Sequence, residues 1–192
     1  LRKAAELCPE CVFLPVDFDE YRRYSRMFKA AVATVTDRIE DRGIDEVYLD
    51  LSAVPGIEED NGAVVAREIK RRVTDATGLT CSIGLAPNKL LAKISSDLDK
   101  PDGLAIVDEA DIPTRIWPLP ARRINGIGPK ADARLEALGI RTIGELAAAD
   151  PQWLMAQFTP RYGQWLHDAA HGRDERPIVT ESEPVSRSRE TT

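Results

Sequence analysis

The chain reads as an α+β fold whose strands all lie in its first half. Three observations predict this. Short segments of period-two alternation are separated by segments of helical period up to about residue 108. The order there is strand, helix, strand, helix, strand, helix, strand, which predicts a small sheet with helices on one face. Beyond "WPLP" at residues 117–120 the strand signal stops, and short helices joined by Gly turns take over.

"CVFLPV" at residues 11–16 reads as a strand ended by Pro15. Asp17 is placed to cap a helix over residues 18–41, with Tyr21, Tyr24, Phe28, Val32, Val35 and Ile39 at helical spacing. "IDEVYLDLS" (residues 44–52) alternates as a strand: Ile44, Glu46, Tyr48 and Asp50 share one face, and Asp45, Val47, Leu49 and Leu51 the other. Residues 63–76 predict a helix with Val64, Ile69 and Val73 inward, ended by Gly78. Residues 79–86 predict a strand, "KLLAKISSDLDK" (89–100) a helix and "LAIV" (104–107) a last strand. A domain boundary falls near residues 108–120, and the polar tail from Asp174 reads as a linker.

Composition narrows the class. Of 192 residues, 43% are hydrophobic and 30% charged, the balance of a soluble globular protein, and no apolar run is long enough to cross a membrane. Three cysteines are few and odd in number, which points to a reducing, cytoplasmic setting. Cys8 and Cys11 have C-x-x-C spacing, but a zinc ribbon needs a second pair and only Cys81 remains. The first residue is Leu, which points to a fragment. The net charge of −6 argues against nucleic-acid binding only if charge is evenly spread. It is not: Arg122, Arg123, Lys130, Arg134 and Arg141 form one basic cluster, and "REIKRR" (67–72) forms another.

Four motifs carry chemistry. Asp45 and Glu46 are adjacent, on opposite faces of an ideal strand; near a strand end or a bulge both can reach one cation, and oxygen ligands suit magnesium. The competing reading is a solvated edge strand. "PNKLLAKISSDLDKPDG" (87–103) carries Lys89, Lys93 and Lys100. A lysine beside a carboxylate–metal site suits a triphosphate, and a solvated lysine face is the alternative. In "INGIGPKADARLEALGI" (124–140), Gly126 and Gly128 make a tight turn and Pro129 suits a first helical turn. Exposed amides at such a helix start, with Lys130 nearby, bind phosphate, and this helix-hairpin-helix pattern grips a duplex backbone without reading bases. His167 and His171 have the i, i+4 spacing of zinc ligands, with no third ligand evident; packing histidines are the alternative.

In this order, the motifs resemble the Y-family lesion-bypass DNA polymerases of the polymerase IV, DinB-like branch. "IDEVYLD" resembles the palm segment that supplies two of three catalytic carboxylates, and "SIGLAPNKLLAKISSDLDKPDGL" (82–104) resembles the next palm segment. "CPECVFLPVDFDEYRRYS" (8–25) is similar to the return from fingers to palm, residues 124–146 to the thumb's helix-hairpin-helix, and "SRSRETT" (186–192) to the approach to the little finger. The resemblance implies a partial palm over residues 17–108 after a fingers remnant at 1–16, an all-α thumb over 109–173, and a linker over 174–192. The family's first strand, with a third metal-binding Asp and the gate against ribonucleotides, has no counterpart here, and Gly43 stands where many members have Ser.

The implied activity is template-directed nucleotidyl transfer in DNA repair with two Mg²⁺ ions. The implied catalytic and metal-binding residues are Asp45 and Glu46; Lys100 touches the incoming triphosphate; Gly126, Gly128 and Lys130 hold DNA-backbone phosphates. The implied partners are primer–template DNA, a deoxynucleoside triphosphate and, in the full-length protein, a sliding clamp. Two other readings stay open: a non-catalytic helix-hairpin-helix DNA-binding module with structural acids, and a cyclase-like or nuclease-like palm.

Overall fold

The structure, a computed structural model, describes residues 1–181; the similarity noted for residues 186–192 lies outside them. The first helix, α1 (Arg2–Leu7), buries no residue. Residues 11–17 follow without regular structure, and Val12 and Leu14 are exposed. The strand predicted at 11–16 therefore does not form. A strand needs a neighbour for its backbone groups, and none among the described residues pairs with this one.

Helix α2 (Phe18–Ala33) starts where predicted, with the Asp17 carboxylate accepting from the Glu20 amide at 3.1 Å. It ends eight residues before the predicted Asp41. The chain turns at Thr34, and Ile39–Asp41 becomes strand β1. Val32, Val35 and Ile39 all reach one core, so apolar spacing alone reads as a continued helix. Strand β1 pairs antiparallel with β2 (Val47–Leu49) in the register Ile39↔Leu49, Glu40↔Tyr48 and Asp41↔Val47. The strand predicted over residues 44–52 is thus trimmed to its centre, and Arg42 to Glu46 form a hairpin loop closed by Arg42 N–H donating to the Glu46 carbonyl at 3.0 Å.

Helix α3 (Ala63–Thr77) buries Val65, Ala66, Ile69 and Val73. Val64, expected inward, is exposed, and Val65 takes that place. Strand β3 (Ile83–Leu85), helix α4 (Lys89–Ser95) and strand β4 (Leu104–Ile106) form a βαβ unit with parallel strands. The α+β architecture is as read, but the strands form two separate two-stranded ladders rather than one sheet.

After a short π-helical turn at Ile112–Ile116 and a 3₁₀ turn at Ala121–Arg123, the rest is helical: α5 (Pro129–Ala137), α6 (Ile143–Ala148), α7 (Pro151–Gln157) and α8 (Pro160–Ala170). Side-chain caps from Thr142, Asp150 and Thr159 start the last three, which explains such short helices one after another.

Two hydrophobic cores result. One joins α2, α3 and the β1–β2 hairpin through Val32, Leu51, Val65, Ile69 and Val73. The other joins the helical half to α4, which contributes Leu90, Leu91 and Ile94 beside Ile116, Leu135, Leu146 and Leu166. Helix α4 is therefore the piece shared between halves. It lies so close to β3 that a Cβ at Gly84 would stand 2.1 Å from the Ala92 carbonyl oxygen and 2.4 Å from the Ser96 nitrogen. Both obstacles are backbone, so Gly84→Ala must push α4 off its strand. We predict a loss of about 1–3 kcal/mol for this substitution, the cost of overpacking a tight site, measured by urea unfolding.

Candidate active site and nucleic-acid interface

The β1–β2 hairpin carries five carboxylates within eleven residues: Glu40, Asp41, Asp45, Glu46 and Asp50. So many like charges in one turn repel and need cations. Four have one from this chain. Lys89 Nζ lies 2.6 Å from Glu40, Lys29 Nζ 2.7 Å from Asp41, Lys93 Nζ 2.7 Å from Glu46, and Arg38 3.0 Å from Asp50. Asp45 is exposed at the loop, and among the described residues no side chain pairs or hydrogen-bonds with its carboxylate. The acid without an internal cation thus adjoins Glu46, whose own partner, Lys93, is partly exposed.

The other three acids have structural work. The Lys29 ammonium, followed by the Gly43 amide, holds the Asp41 carboxyl below its usual range, and Lys29 also donates to the Gly43 carbonyl at 2.7 Å. Asp50 is lowered by the amide and hydroxyl of Ser52, outweighing partial burial, with Arg38 adding to the effect. Burial alone would raise Glu40, but hydrogen bonds from Lys89 and the Val179 amide win, and its carboxyl stays low. Tyr48, cross-strand from Glu40, is pushed up by burial and then by the Glu46 charge.

The donor set fits a hard divalent cation: two neighbouring carboxylates, one unpartnered and one on a displaceable lysine. No cluster of three or more Asp, Glu, His or Cys side chains suited to a metal occurs among the described residues.

The three lysines of the 87–103 segment, read alike in sequence, diverge. Lys89 is buried against Glu40, Lys93 bonds Glu46, and Lys100 is over half exposed and pairs with Asp97 at 2.6 Å. The lysine at the predicted carboxylates is therefore Lys93. Its signal was available: Lys89 and Lys93 are one turn apart, so both face the hairpin.

The two basic clusters also separate. In α3, Arg67 pairs with Asp60, Lys70 with Asp102, Arg71 with Glu68 and Asp75, and Arg72 with Glu68, whose carboxyl the two arginines hold at about 2. That cluster is neutralised. Around α5, Arg122, Arg123, Lys130, Arg134 and Arg141 are exposed, and none forms an ion pair among the described residues. Gly128 precedes Pro129 at the α5 start, no side chain caps this end, and a Cβ at Gly128 would meet open space. The amides of this first turn therefore face an uncovered, cationic surface.

Gly126 is different. Its φ of +119° favours glycine, and a Cβ there would stand 2.6 Å from the Trp165 ring. Tyr162 stacks on Trp165 at 5.2 Å and donates its hydroxyl to the Gly126 carbonyl at 2.9 Å. Gly126 shapes the hairpin, and Tyr162 and Trp165, which sequence reasoning missed, buttress it. Their i, i+3 spacing on an aromatic helix face was the available signal. His171 bonds the His167 carbonyl at 2.8 Å and packs edge-on against Trp117, so this pair serves packing.

Residues 1–97 match the impB/mucB/samB family, and residues 122–174 match the thumb domain described for DNA polymerase iota. The chain belongs to the Y-family DNA polymerases. It is 42% identical over 180 residues to DNA polymerase IV of Moorella thermoacetica, covering 93% of this chain and 44% of that protein. DNA polymerase IV of Alkalilimnicola ehrlichii is 40% identical over 190 residues, covering 99% and 53%. The chain spans about half the length of these curated relatives. Among solved structures, DinB from Sulfolobus solfataricus superposes with a TM-score of 0.82 at 29% identity, covering 93% of this chain and 52% of that one. The insertion ternary complex of Dbh DNA polymerase gives 0.81 at 28%, covering 92% and 52%. Among the described residues, no helix of this Y-family chain is long and apolar enough to cross a membrane.

The lowered carboxyls set a pH dependence. A group whose folded pKa is depressed stabilises the fold above its unfolded value of about 4, and that contribution is lost as pH falls through the folded value. We predict that acidification below about pH 4 loosens the hairpin first. Lys29→Met should return the Asp41 midpoint toward about 4, read by carboxyl NMR titration; an unmoved midpoint would refute the Lys29 assignment.

Proposed function

We propose that this chain supplies part of the palm and the thumb of a lesion-bypass DNA polymerase that carries out template-directed nucleotidyl transfer in DNA repair. The observation that carries the reading is Asp45: of five crowded hairpin acids it is the one without a cation from the described chain, and it adjoins Glu46. The domain division that goes with it is a fingers remnant at 1–16, palm at 17–108, thumb at 109–173 and a linker at 174–192, in a cytoplasmic enzyme.

Asp45 and Glu46 are the proposed catalytic residues and would hold Mg²⁺. Bound in a polymerase site, two such ions polarise the attacking primer hydroxyl and offset charge on the departing pyrophosphate. Lys93 donates to Glu46 at 2.7 Å and so stands beside the proposed carboxylate pair. Lys100 is exposed, and its Asp97 partner leaves it at the surface, where it can turn to a triphosphate. In the thumb, the amides around Gly126 and Gly128, with Lys130, take backbone phosphates of primer–template DNA. A sliding clamp is the further proposed partner of the full-length protein.

Three outcomes test this. The 192-residue chain alone should extend no primer with magnesium and all four deoxynucleotides, because it brings two of the metal ligands and little of the nucleotide pocket; template-dependent extension would overturn that. In the full-length protein, Asp45→Ala should abolish extension while leaving duplex affinity unchanged, whereas a non-catalytic binding module would lose nothing. Lys130→Ala should weaken duplex binding across sequences and lower the salt slope by about one, measured by fluorescence anisotropy at several salt concentrations.

A further inference from the structure

The segment after α8 is fastened to the βαβ unit and to the hairpin. Asn88 donates its side-chain amide to the Gly172 carbonyl at 2.7 Å. The buried Asp174 carboxylate accepts the Leu90 amide at 3.1 Å and the Arg176 guanidinium at 2.6 and 2.7 Å. Lys89 donates to the Pro177 carbonyl at 2.7 Å, and the Val179 amide donates to Glu40 Oε2 at 3.0 Å. Four polar contacts thus hold eight residues, 172 to 179, across the start of α4 and the side of β1.

The centre of this arrangement is the Lys89–Glu40 pair, whose side chains are 9% and 8% exposed. Burying two charges is costly, and an apolar pair of the same size would be at least as stable. What the ion pair adds is direction. Glu40 accepts Lys89 and the Val179 amide on one oxygen, and Arg42 at 3.4 Å on the other. Lys89 divides its donors between Glu40 and Pro177 and faces the Tyr48 ring at 5.7 Å. An apolar pair would leave both strap groups at 177 and 179 without partners.

The pair also sits where it can set the hairpin. Glu40 is cross-strand from Tyr48, and Tyr48 is two residues from Glu46. One turn along α4 from Lys89, Lys93 grips Glu46. Helix α4 therefore holds the hairpin at two points, one on β1 and one on the loop, and the strap locks the first.

We propose that residues 172–179 and the Lys89–Glu40 pair form a clamp that fixes the hairpin bearing Asp45 and Glu46 against α4, making Lys89 and Glu40 positioning residues for those carboxylates. The consequence for metal rests on the reading of Asp45 and Glu46 given above; the mechanical coupling does not. A second consequence is that any chain beyond residue 179 leaves from a point fixed beside the hairpin, so the strap links that chain's placement to the carboxylates.

The test uses the 192-residue chain and two variants. Lys89→Met removes the buried ammonium. Val179→Pro removes only the amide donor, at an exposed position that cannot unfold a core. Amide hydrogen exchange reports the strap, the hairpin and, as an internal reference, α7 and α8. Manganese affinity is read by electron paramagnetic resonance. Both variants should speed exchange at residues 42–48 by about tenfold or more, the equivalent of about 1.4 kcal/mol, with α7 and α8 unchanged, and both should weaken manganese binding. Lys89→Arg should restore much of the effect, since it keeps a charged donor. Hairpin exchange unchanged in Val179→Pro, with the strap itself loosened, would overturn the coupling; a strap still protected in both variants would overturn the clamp. Asp45→Asn separates the two ideas. If it leaves manganese binding unaltered, the metal reading fails, and the exchange results alone decide the clamp.

Discussion

Charge balance in one hairpin organises this molecule. Five carboxylates crowd eleven residues, and a turn of that composition is unstable unless cations reach it from outside the turn. The chain sends four: Lys29 from α2, Arg38 from the segment before β1, and Lys89 and Lys93 from α4. Each also ties an element to the hairpin, so the electrostatic need doubles as a set of tethers. The remainder is a single exposed aspartate beside a glutamate on a releasable partner.

Helix α4 carries the consequence into the rest of the fold. Its lysines face the hairpin, while Leu90, Leu91 and Ile94 enter the core of the helical half. Gly84 lets β3 sit against its backbone. The same seven residues thus connect the carboxylates, a two-stranded ladder and the helices that present the Gly126–Lys130 turn. Such sharing explains why the two cores do not divide at the composition change near residue 108. Among the described residues, Arg122, Arg123, Lys130, Arg134 and Arg141 around α5 form no ion pair, whereas α3 places its cations on neighbouring acids, so the chain carries an exposed basic face despite a net charge of −6.

Local signals in the sequence were enough for part of this. Asp17, Gly78 and Pro129 mark helix ends because capping chemistry acts over three or four residues. Asp45–Glu46 and the Gly126–Lys130 turn stand out because adjacent acids and spaced glycines are unusual within their elements. Pairing across distance was not legible. Ile39 belongs to a strand only because β2 lies beside it, and residues 11–16 are not a strand because nothing in the described chain does. Glu40 falls inside the helix predicted over residues 18–41, yet it lies on β1 and is buried against Lys89, forty-nine positions away. Tyr162 and Trp165 meet Gly126 only through the fold, across thirty-six or more positions of sequence.

The central claim is that the hairpin's unbalanced charge is a cation site formed by Asp45 and Glu46. It is tested most directly by anomalous diffraction at the manganese edge from crystals of this chain soaked in manganese chloride. The account predicts an anomalous peak within coordination distance of both carboxylates, about 2.0–2.4 Å from oxygen, that vanishes in Asp45→Asn crystals. Manganese gathering instead at Asp41 or Asp50, or a peak that survives the substitution, would contradict it.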